Sequence, residues 1–115
     1  MARTTRPISW IKAAKKDFGK FPEAAQDAFL TALTMAADGG KADIAKPMTG
    51  LGSGILEIAL AHKGDAFRVV YALQLGDDIW VLHAFQKKSR TGRETPKPDI
   101  DLIKERIKRL KETLK

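Results

Sequence analysis

The chain contains no cysteine, which excludes both a disulfide framework and a thiolate metal site. Two isolated histidines do not make a zinc site either, so no metal or other cofactor is expected. No window approaches the roughly eighteen apolar residues of a membrane span, and the basic start MARTTRPISWIKAAKK lacks the apolar core of a signal peptide. Internal repeats and low-complexity tracts are also missing. These absences lead to the expectation of one cytoplasmic, membrane-free domain over residues 1–115. Any chemistry must come from Arg, Lys, His, Tyr and carboxylates.

What is present in excess is positive charge, and it is unevenly placed. The formal net charge is +7, of which residues 87–115 carry +6, from eleven Lys or Arg against five Asp or Glu. The densest part, residues 87–93, holds Lys87, Lys88, Arg90 and Arg93 with no acid, a local potential that favours a polyanion such as nucleic acid. A solvated basic face is the simpler alternative.

Periodicity divides the chain into elements. Pro7, Ile8 and Trp10 suit a brief edge strand, and residues 12–18 a short helix ended by Gly19. Ala25, Ala28, Phe29, Ala32, Leu33 and Ala36 recur at helical spacing over residues 22–37, with Pro22 at the start and Asp38, Gly39 and Gly40 at the end. The alanine-rich face calls for close packing on a flat partner, a sheet. Residues 41–54 read as a loop. Their glycines, Gly50, Gly52 and Gly54, follow a helix and open a strand, the reverse of a phosphate-binding loop.

Residues 55–61 alternate, with Leu56, Ile58 and Leu60 on one face and Glu57 on the other, and His62 to Asp65 form the turn. Two apolar runs, 67–75 and 79–85, flank Gly76, Asp77 and Asp78 and predict a tight hairpin. Together the three strands make an antiparallel meander with helix packed on one face, an α+β layer. If residue 75 faces residue 79, Arg68 lies across from about residue 86. After Pro96 and Pro98, a stripe of Ile100, Ile103, Ile107, Leu110 and Leu114 predicts a C-terminal helix that docks on the sheet.

Candidate chemistry gathers around the hairpin. Arg68 sits inside an apolar strand and needs a partner: an ion pair with Glu57, a phosphate held by its planar fork, or each in turn. Lys87 and Lys88 close the next strand beside it, followed by Ser89, Arg90 and Arg93 as candidate RNA contacts. Such a cluster stabilises the charge that builds on a phosphorane-like transition state when a 2′-hydroxyl attacks its neighbouring phosphate, without a metal. His83 is a candidate general acid or base, with a packed core histidine as the alternative, since alternation places it with Ile79, Val81 and Phe85. Tyr71 shares the face of Phe67 and Val69 and reads as core.

These residues fall in an ordered set of motifs: GILEI at 54–58, FRVVY at 67–71, VLHAFQKKS at 81–89 and TPKPDIDLIKERI at 95–107. The set resembles the toxins of the RelE/ParE superfamily, in the phage-derived Gp49-like (HigB-type) branch, over nearly the whole chain. The resemblance implies a compact α+β, RelE-like small domain, with N-terminal helices and a C-terminal helix packed on a twisted antiparallel sheet. It also implies the toxin of a type II toxin-antitoxin system: a ribosome-dependent mRNA endonuclease, neutralised by a cognate antitoxin of helix-turn-helix type. Basic residues of the family match Arg68, Lys87 and Lys88. The lysines that RelE carries on the strand corresponding to 55–61 are absent here, as is its tyrosine near the C-terminus.

Two other functions fit the same residues. The ParE side of the superfamily binds DNA gyrase and cleaves nothing, and a non-catalytic RNA-binding module would use the same cations.

Overall fold

The computed structural model describes residues 5–87 and 94–114. In chain order the elements are β1 (Ile8–Trp10), α1 (Lys12–Phe18), α2 (Glu23–Ala37), β2 (Ala45–Pro47), β3 (Ile55–His62), β4 (Asp65–Ala72), β5 (Ile79–Lys87) and α3 (Lys97–Thr113). The strands form one sheet in the order β1-β5-β4-β3-β2. The fold is α+β, as expected, but the sheet is mixed. β2 to β5 make an antiparallel meander, and β1 adds in parallel to β5, pairing Ile8 with Ile79 and Trp10 with Val81.

The expected meander thus gains a strand at each edge. β2 lies inside residues 41–54, which read as loop because three residues are too few to show a period. Ala45 pairs with Ile58 and Pro47 with Leu56. Shortness and a proline suit this strand to the sheet edge, where they discourage pairing with another chain.

Helices cover both faces, where the sequence suggested only one. One face buries Leu56, Ile58, Phe67, Val69, Tyr71, Ile79 and Val81 against Ala14 and Phe18 of α1 and Ala25, Phe29, Ala32, Leu33 and Ala36 of α2. Alanines let α2 approach the sheet closely, and Phe18, Phe21, Phe29 and Phe67 fill the remaining space, with ring centroids 4.9–6.2 Å apart. The opposite face buries Ile55, Val70, Ala72 and Leu82 against Ile103, Ile107 and Leu110 of α3. Leu114, the last residue of the apolar stripe, is 41% exposed.

The two hairpins differ in a way that sets the register. β3 and β4 meet at a two-residue turn, Lys63 (φ 50°) and Gly64 (φ 84°), both left-handed as a tight right-twisted hairpin requires. The β4–β5 connection, expected to be the tight one, is longer. β4 stops at Ala72, Leu75 turns into the second core, and the Arg6 guanidinium donates to the carbonyls of Leu73, Asp77 and Asp78 at 2.6–3.0 Å.

Between β4 and β5 the register shifts at Val70/Tyr71: Tyr71 pairs with Val81, but Val70 pairs with His83 and Arg68 with Phe85. Leu82 is the extra residue of this β-bulge, and its carbonyl accepts a hydrogen bond from Arg106 Nη1 at 2.8 Å. The bulge reverses the side-chain parity of β5. Val81 faces α1 and α2, whereas Leu82 and then His83, Phe85 and Lys87 lie on the face of Val70 and Arg68. The expected pairing of Arg68 with residue 86 is therefore off by one, and so is the placement of His83 beside Ile79 and Val81.

Candidate functional site

Register and bulge together assemble one patch. Cross-strand partners share a face, so Glu57 and Ala59 of β3, Arg68 and Val70 of β4, and His83, Phe85 and Lys87 of β5 lie side by side on the α3 side of the sheet. Among the described residues, the buried polar or charged side chains are Arg68 (9% exposed), Lys87 (6%) and His83 (4%). All three are on this patch. Burying polar or charged groups is costly, and three of them at one end of one sheet face are a concentration that packing alone does not require.

Arg68 Nη1 donates to Glu57 Oε1 at 2.6 Å, with only 11% and 12% of the two side chains exposed. Glu57 Oε2 accepts from Thr95 Oγ1 at 2.5 Å. One carboxylate therefore aims Arg68 and also ties down the chain just before α3. The ion pair weighed from sequence is present, and it preorganises the guanidinium on the patch.

His83 has both ring nitrogens engaged. Arg106 Nη1 stands 3.2 Å from Nδ1, and Asp99 Oδ1 stands 2.7 Å from Nε2. Arginine only donates, so Nδ1 is the acceptor and Nε2 carries the hydrogen that Asp99 accepts. The ring stacks on Phe85, centroids 4.8 Å apart and planes within 18°. His83 thereby bridges β5 to α3 at two points separated by seven residues of helix. Burial lowers the pKa of Arg106, and the Asp17 carboxylate acts in the opposite direction.

Of the residues expected from sequence, Arg68, His83 and Lys87 are brought together, while Lys88, Ser89, Arg90 and Arg93 lie outside the described residues. Tyr71 is core, 1% exposed, and burial raises its phenol pKa above the ordinary 10.0. The glycines of residues 50–54 lead into β3 with no helix behind them, so they form no phosphate cradle. Sequence reasoning missed Asp99, Arg106 and Thr95. A signal for the first two existed: residues seven apart on a helix share a face, and Asp99 and Arg106 flank Ile103 on the docking side.

No helix among the described residues is long and apolar enough to cross a membrane. Among curated proteins there is no sequence match. A family model described as phage derived protein Gp49-like (DUF891) matches residues 16–108, a span that contains every element from α2 through β5 and all three buried polar residues. The chain thus belongs to the phage-derived Gp49-like family, the family of the HigB-type toxins in the RelE superfamily.

Proposed function

We propose that the protein is the toxin of a type II toxin-antitoxin pair and acts as a metal-independent, ribosome-dependent mRNA endonuclease in the cytoplasm. The observation that carries this reading is the burial of Arg68, Lys87 and His83 on one face, at the strand end from which the basic residues 87–93 depart. In the proposed reaction a 2′-hydroxyl oxygen attacks the adjacent phosphorus and the 5′-oxygen leaves, giving a 2′,3′-cyclic phosphate and a 5′-hydroxyl. Arg68 and Lys87, with Lys88, hold the negative charge that builds on the phosphoryl oxygens. Ser89, Arg90 and Arg93 bind flanking RNA. His83 acts as acid or base only when one ring nitrogen is released from Asp99 or Arg106; with both engaged it holds β5 against α3. The partners are the ribosome, mRNA and a cognate antitoxin of helix-turn-helix type.

Primer extension on mRNA from cells expressing the protein tests the reading. Discrete cuts are expected with the native chain. Arg68→Lys keeps a cation for Glu57 but loses the planar fork, and it should abolish the cuts while the purified variant still unfolds cooperatively. Intact transcripts accompanied by DNA damage would overturn the proposal in favour of gyrase binding. Intact transcripts with salt-sensitive RNA binding and no growth arrest would reduce the protein to a binding module.

A further inference from the structure

Beside Arg68 the sheet opens into a cleft of about 500 Å³ lined by Asp43, Ile44, Lys46, Glu57, Ala59 and Arg68. Lys46 belongs to β2 and pairs directly with Glu57, so its side chain rises on the same face as Glu57 and Arg68. A lysine opposite a glutamate would ordinarily be its ion partner. Here the polar partners of Glu57 among the described residues are Arg68 at one oxygen and Thr95 at the other, and Lys46 forms no ion pair with it. Lys46 is exposed and stands two strands across and two residues along from Arg68, roughly 12 Å at the usual strand spacing and rise. Ile44, 39% exposed, gives the cleft an apolar wall, and Asp43 puts an acceptor-only group at its rim.

A cation, an apolar wall and an acceptor around one cleft match the three parts of a nucleotide: phosphate, base face and base edge. We propose that this cleft is a nucleotide subsite next to Arg68, an inference that rests on the RNA-directed reading above. Lys46 takes a backbone phosphate, Ile44 packs on the base or ribose, and Asp43 accepts from an exocyclic amino group, favouring the amino-bearing bases adenine, cytosine and guanine over uracil. Single-stranded RNA then crosses the strands from the β5 end over Arg68 to β2.

Fluorescence anisotropy with 2′-O-methyl oligoribonucleotides, which cannot be cut by 2′-hydroxyl attack, separates binding from cleavage. Lys46→Ala should weaken binding about fivefold or more at low salt and flatten the slope of log K against log[salt] by about 0.7, the value for one single-strand phosphate contact. The control Lys108→Ala, on the exposed face of α3, should change the affinity less than about twofold. Asp43→Asn should narrow the preference for cytidine over uridine oligomers. Lys46→Ala indistinguishable from the native chain or from Lys108→Ala overturns the subsite and leaves the endonuclease reading standing. Native protein that binds but never cleaves mRNA overturns only the endonuclease reading. Native protein that binds no oligomer overturns the subsite, while the cuts read by primer extension decide the ribosome-dependent cleavage separately.

Discussion

Arg68 and Glu57 illustrate how a single buried pair serves position more than stability. Two largely desolvated charges gain little net energy from each other, but removing one strands the other in a poorly solvated place. Arg68→Ala should therefore cost about 3–5 kcal/mol in urea unfolding, whereas the paired replacement Arg68→Met with Glu57→Leu should recover most of that loss. Tyr71 offers a second test. Its phenol pKa is raised by burial, so above pH 10 the unfolded chain loses this proton before the folded chain does. Stability should fall as pH rises beyond 10.0, and Tyr71→Phe should lessen that fall, as read by melting temperature across pH 9–11.5. At this scale the sequence singled out Arg68 and His83 as charged or titratable residues inside apolar runs, and Lys87 as a cation closing a strand. Thr95 left no trace in it, because a hydroxyl after a basic loop looks like ordinary surface, and Arg106 showed only through its seven-residue spacing from Asp99 on one helix face.

Among the elements, α3 does the most to complete the site. Its apolar stripe covers the second sheet face, its first turn supplies Asp99, and its third supplies Arg106. Asp99 also sits where the positive end of the helix dipole favours a carboxylate. Ile103, fully buried at the centre of this contact, should cost about 2–5 kcal/mol on replacement by alanine. Leu102, one residue away and 36% exposed, should cost less than about 1 kcal/mol by the same denaturant measurement. The two long helices, α2 and α3, were legible because their period repeats over four or more turns. The bulge at Leu82 was not, since one extra residue leaves the apolar pattern of β5 intact and becomes visible only against the partner strand.

Across the whole molecule, one sheet separates two apolar cores, and β4, at its centre, is protected by paired strands on both sides. Amide hydrogen exchange should therefore be slowest in β4 and in the β4-facing amides of β5, and fastest in the three-residue edge strands β1 and β2. Equal protection of β2 and β4 would contradict that ordering. The sequence by itself determined the types of the longer elements, the α+β class and the basic bias of the last third, because composition and local period are properties of neighbouring residues. Only the tertiary structure decided the parallel β1, the second helical layer, and the bulge that turns His83 and Lys87 onto the face of Arg68. Those features depend on which residues meet across strands far apart in the chain, where a shift of one position exchanges the two faces of a sheet.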